Sequence, residues 1–198
     1  LGSGPVMIYF GQELGENAPY AEGFSGLDGK TSIFDYWGME TLQDWINGGR
    51  YDGGLLKPWQ IKLREFYQVL LSLCRQSEAI RQGGLYDLHY ANNAFQSAHY
   101  HGDRVYSYLR FSHNQRLLIM ANFSFEENYD CFLKIPEAAW QAMHLPVDAN
   151  YKITDLLFNA QTLYFHGSEA AKTEGPESGI QLHLPYLSSR IFEIKEVS

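Results

Sequence analysis

The period of the hydrophobic positions changes along the chain, and each change marks an element. Val6 to Phe10 form an uncharged apolar run between Pro5 and Gly11, with polar Gln12 and Glu13 after it. A short run with no polar alternation, flanked by Pro and Gly, predicts a strand buried on both faces, as a parallel strand is. Met39, Leu42, Trp45 and Ile46 then fall on one helical face before Gly48-Gly49, which predicts a short amphipathic helix. From about Pro58 to Arg81, Leu63, Phe66, Tyr67, Leu70, Leu71 and Cys74 keep the helical period, while Lys62, Arg64, Glu65 and Gln68 occupy the other face. Pro58 suits a first turn and Gly83-Gly84 an end.

From Leu85 onward the period is two. The predicted strands are Leu85–His89, Val105–Phe111, Arg116–Asn122, Asp130–Ile135, Tyr151–Asp155, Thr162–His166, Ile180–Leu184 and Arg190–Lys195, with turn residues between them. Many short alternating strands imply an antiparallel sandwich. Between the first strand and the long helix lies a polar, Gly-rich passage, residues 14–54, of the length that functional loops have. It contains the aromatic cluster Phe34, Tyr36 and Trp37, whose plain role is to pin the loop by packing.

Composition narrows the function. The chain has 198 residues, 45% of them apolar and 15% aromatic, so a packed core is expected. A net charge of −8 with no basic cluster argues against nucleic acid or an anionic membrane as partner. No stretch has the ~20 apolar residues of a membrane-spanning helix. Cys74 and Cys131 stand far apart and lack metal-ligand spacing, so two buried thiols are expected and the compartment stays unknown. His99, His101 and His113 are close in sequence, but without a carboxylate or thiolate at ligand spacing they predict no metal site.

The residues from Gly4 to Glu13 resemble the last barrel strand of the α-amylase family of glycoside hydrolases (family 13), which reads Gly-x-Pro-x-Ile-Tyr-Tyr-Gly-x-Glu. Gly4, Ile8, Tyr9, Gly11 and Glu13 match at the right spacing; Pro5 lies one place early and Phe10 replaces the second Tyr. Leu63 to Gly83 is similar to the eighth barrel helix of that family. Val105 to Arg110, Leu118 to Ser124 and Leu182 to Tyr186 resemble its C-terminal domain. The resemblance implies an α+β fragment. Residues 1–83 would be the terminal βα portion of a (β/α)₈ TIM barrel, and residues 84–198 an all-β antiparallel Greek-key sandwich packed on the long helix.

It also implies a parent enzyme that cleaves α-glucosidic bonds in starch-like glucans by retaining double displacement. The family's three catalytic carboxylates follow earlier strands, and a barrel takes ~250 residues, so they are expected before Leu1 and none in this chain. Glu13 and Tyr9 would rim the active site. Trp37 would join them through the similarity of Lys30 to Trp37 to a stretch that returns to the substrate cleft. No cofactor is expected in this chain, although the parent would carry Ca²⁺ on ligands from elsewhere. Besides an α-glucan and the remaining barrel, the expected partner is a second copy, in a non-native homodimer through residues 5–10. Two other readings stay open. One is a non-catalytic carbohydrate-binding sandwich with Tyr90, Tyr100 or Trp140 as an exposed platform. The other is a fragment of a family glucanotransferase or isomerase.

Overall fold

The period-two segments pair antiparallel throughout. The computed structural model describes residues 4, 6–16, 38–94, 97–159 and 161–197. They divide into two compact units, Gly4–Leu73 and Cys74–Ser198. The division falls within the last turn of the long helix. No helix among the described residues is long and apolar enough to cross a membrane.

In the first unit the expected helices form as α1 (Glu40–Ile46) and the body of α2 (Pro58–Gln76). The expected strand does not. Val6 to Tyr9 have no regular secondary structure and Phe10 opens a turn. Val6 is 72% exposed and Met7 82%. An apolar sequence makes a strand only when neighbouring strands take its N–H and C=O groups, and no described strand pairs with it. The same lack of cover shows on α2, where none of Leu63, Phe66, Tyr67 and Leu70 is fully buried and Leu71 is exposed.

The second unit begins with a correction to the long helix, which stops at Gln76 instead of Arg81. Ser77 takes extended backbone and its Oγ accepts the Ile80 N–H, capping a separate short helix α3 (Glu78–Gln82). Eight strands follow: β1 (Gly84–Asp87), β2 (Val105–Phe111), β3 (Arg116–Asn122), β4 (Tyr129–Leu133), β5 (Asn150–Asp155), β6 (Thr162–His166), β7 (Ile180–Leu184) and β8 (Ser188–Val197). Six of them form one sheet in the order β1-β2-β3-β8-β5-β6, and β4 and β7 form a second. Helices α4 (His89–Ala94), α5 (Glu137–Met143) and α6 (Gly167–Ala170) lie between strands.

Alternation explains the packing. On β2, Val105, Ser107 and Leu109 are buried while Tyr106 is exposed. Leu118, Met120, Tyr151, Ile153, Phe192 and Ile194 of the large sheet share one core with Cys131, Leu133, Leu182 and Leu184 of the small one, and α5 adds Trp140 and Met143. Two antiparallel sheets therefore enclose one hydrophobic interior.

Burial in that core pushes the Cys131 thiol up to about 12, and partial burial outside it, on the other face of β2, pushes the Tyr108 phenol up to about 12. Each is raised in the folded state, so each contributes stability below its unfolded pKa, 9.0 for the thiol and 10.0 for the phenol. That stability is lost as pH rises through the window up to about 12 in each case. Urea midpoints should fall across this alkaline range, and the Cys131→Ala variant should show a shallower fall. Equal slopes in both proteins would remove Cys131 as a cause.

Candidate functional site

The residues expected to rim an active site sit in a tight turn. Gly11 has φ 83° and Gly15 φ 74°, both left-handed, and they bracket a 3₁₀ turn at Gln12–Leu14. Neither position has room for a side chain. A Cβ on Gly11 would lie 2.6 Å from Met39 Cε, and one on Gly15 2.4 Å from Trp59 Cζ3. Glycine is required at both by conformation and by contact.

Side-chain bonds hold the turn in place. The Tyr9 N–H donates to Gln12 Oε1 (3.1 Å), and Gln12 Nε2 donates to the Tyr67 hydroxyl on α2 (2.8 Å). Gln60, 1% exposed, donates its Nε2 to the Leu14 carbonyl at 3.0 Å. Thr41 Oγ1 donates to Glu16 Oε2 at 2.6 Å. Tyr9 is thus placed at the start of the turn with its ring partly exposed. Glu13 lies within the turn, half-buried, and its carboxylate makes no hydrogen bond or ion pair with the described residues. Trp37 lies outside the described residues. The structure brings Tyr9 and Glu13 together on one turn, with Gln12 as a fixing residue that the sequence pattern did not single out.

Among the platform candidates only Tyr90 is on the surface, 56% exposed, its hydroxyl 3.1 Å from that of Tyr86. Tyr100 is 8% exposed and its hydroxyl hydrogen-bonds Ser107 Oγ at 2.9 Å. Burial raises the Tyr100 phenol well above its ordinary value. Trp140 is fully buried. Both are core residues.

No group of three or more His, Cys, Asp or Glu side chains among the described residues is arranged to hold a metal ion. His101 instead stacks on Tyr129, with ring centroids 4.4 Å apart and an interplanar angle of 26°. Two buried charges also lack any sequence signal. Asp155 lies 3.5 Å from Arg190 Nη1 and accepts the Leu157 N–H at 3.0 Å. Lys134 is buried, which lowers its ammonium pKa.

Two open clefts lie in the second unit. One of about 390 Å³ is bordered by Tyr164, His166 and Glu169. The other, about 380 Å³, is bordered by His101, Arg104, Phe125, Glu126, Glu127 and Tyr129. Sequence reasoning missed both, because each gathers residues from elements far apart in the chain.

No protein family's sequence profile matches the chain, and no curated protein does. Among solved structures, an isomaltulose synthase variant from Erwinia rhapontici NX5 bound to D-glucose is similar to it at 18% identity and a TM-score of 0.44. That match covers 94% of this chain and 35% of the other. A variant of MutB bound to sucrose is similar at 17% identity and a TM-score of 0.43, over 93% of this chain and 34% of the other. The chain spans about a third of the length of these two structures.

Proposed function

We propose that this chain is the C-terminal part of an α-amylase-like glycoside hydrolase that acts on α-glucans by retaining double displacement. In this reading the catalytic carboxylates lie outside the chain. Residues 1–83 contribute the last barrel strand and helix, and residues 84–198 the C-terminal Greek-key sandwich domain. Glu13 and Tyr9, held by the Gly11–Gly15 turn, rim the active site without reacting, and Trp37 joins them from the following loop.

The observation that carries this reading is the uncovered apolar surface of the first unit. Val6, Met7, Trp59, Ile61, Val69 and Leu71 are 72%, 82%, 51%, 42%, 42% and 45% exposed. Exposed apolar side chains of this size and number mark a surface that further polypeptide covers. They fall on the segment and helix that resemble a barrel strand and its helix, the two elements that neighbours enclose in a complete barrel.

The chain alone is expected to leave starch and chromogenic maltosides unhydrolysed, because a single Glu13 cannot supply both the nucleophile and the acid. Turnover above background that vanishes in the Glu13→Gln variant would overturn the assignment of the chemistry to residues outside the chain.

The same surface predicts self-association through residues 5–10, since burying side chains of this size is worth roughly 1.5–3 kcal/mol each. Light scattering over a concentration series should show a dimer or larger species, shifted toward monomer by Val6→Lys with Met7→Lys. A monomer at every concentration would refute it.

A further inference from the structure

At the end of the second unit where β2 begins and β3 ends, the α4–β2 and β3–β4 connections and the first residue of β4 build a cleft of about 380 Å³. Its floor is the Tyr129 ring, 6% exposed and stacked on His101. The Tyr129 hydroxyl donates to Glu127 Oε2 at 2.6 Å, which fixes one carboxylate over the floor. Beside it stands Phe125, 73% exposed.

The loop that carries these groups is rigidly built. Ser124 Oγ accepts the N–H groups of Glu126 and Glu127, at 3.4 and 3.0 Å. Asn122, only 2% exposed, shares its amide hydrogens among the carbonyls of Glu127, Leu184 and Pro185, while its Oδ1 accepts the Ser124 N–H at 2.9 Å. The Leu187 N–H donates to the Ser124 carbonyl at 2.9 Å, with Leu187 held at a left-handed φ of 44°. The Phe123 N–H donates to the Arg104 carbonyl at 2.8 Å, tying in the α4–β2 connection. A cleft fixed in this way binds without first having to order its own loops.

The chemistry of the walls selects the ligand. Glu126 and Glu127 accept hydrogen bonds, Arg104 donates them, and Phe125 and the His101–Tyr129 stack offer apolar faces. An anion would meet Glu126, Glu127 and Asp103, and a metal ion would find no set of three donors among the described residues. A neutral molecule with many hydroxyls and an apolar C–H face satisfies every group. We propose that this cleft is an oligosaccharide-binding subsite, with Phe125 as its stacking platform and Glu127 and Arg104 as hydroxyl partners. It rests on the cleft's own geometry and stands apart from the α-glucan reading.

The test is a ¹⁵N NMR titration of the full chain with maltoheptaose and, separately, with cellohexaose. The amides of Phe125, Glu126, Glu127 and Tyr129 should shift saturably with at least one of them. Phe125→Ala should weaken that binding about tenfold, the loss of one aromatic contact, with its melting temperature unchanged because the ring is exposed. Glu127→Gln should weaken it as well. Shifts with cellohexaose alone support the subsite and count against α-glucan as its ligand. The proposal is overturned if neither saccharide moves these amides, if both variants bind as the original does, or if calcium chloride alone gives the saturable response.

Discussion

Replacing Trp140 with alanine is expected to destabilise the Cys74–Ser198 unit by about 3–5 kcal/mol, the range for deleting a buried large aromatic. The side chain has no exposed surface. Its ring centroid lies 4.8 Å from that of Tyr151 and 6.4 Å from that of Phe165, so deletion opens a cavity bordered by rings that cannot collapse far. The indole Nε1–H also donates to the Ile135 carbonyl at 3.0 Å, and that acceptor loses its partner. Trp140→Phe separates the two effects. It keeps most of the volume and drops the bond, so a smaller loss of roughly 1–3 kcal/mol is expected. Urea unfolding followed by far-ultraviolet circular dichroism measures both. A loss near zero for Trp140→Ala would mean that α5 does not close the core.

The strand pattern was sufficient both where burial alternates, as on β2 and β7, and on β3, which is buried on both faces. Val105–Phe111, Arg116–Asn122, Thr162–His166 and Ile180–Leu184 form strands over those same residues. β8 runs longer than its expected Arg190–Lys195, to Ser188–Val197, because it pairs on both sides, with β3 and β5. The short helices of the second unit were not legible. α5 has under two turns, so Ala139, Trp140 and Met143 give no period to read, although Pro136 before Glu137 is a start signal. The break at Ser77 was equally hidden. Both sides of it are helical in pattern, and only the bond from the Ile80 N–H to Ser77 Oγ sets the stop.

The candidate sites divide in the same way. The turn at Gly11 was marked in the sequence, because a left-handed position favours glycine, whereas the roles of Tyr9 and Glu13 rest on the resemblance alone. The conformation before the turn was not marked, since an apolar run states what wants burying without stating what buries it. The cleft over Tyr129 depends on residues from two connections and a strand, and one-dimensional spacing carries no trace of that meeting. The platform candidates Tyr100 and Trp140 illustrate the converse: an aromatic in a strand-rich segment is most often core.

The second large effect concerns Arg110, a charged side chain only 2% exposed. Its Nε donates to the Ala79 carbonyl at 3.1 Å and its Nη2 to the Ile80 carbonyl at 2.6 Å. These acceptors are in α3, a five-residue helix too short to hold itself together in water. A cation on helix carbonyls is favoured by the peptide dipoles as well as by the bonds themselves. Each charge-assisted bond is worth about 1.5–3 kcal/mol, so Arg110→Met should destabilise the unit by roughly 3–5 kcal/mol. Arg110→Lys keeps the charge and loses the planar fork that reaches two carbonyls, so it should recover only part of the difference. Hydrogen exchange provides a readout specific to the contact. The amides of Arg81 and Gly83, which donate to the Ser77 and Ala79 carbonyls, should exchange much faster in Arg110→Met, beyond the change in the strands. If α3 amides and strand amides accelerate equally, Arg110 stabilises the sheet as a whole and does not specifically dock α3.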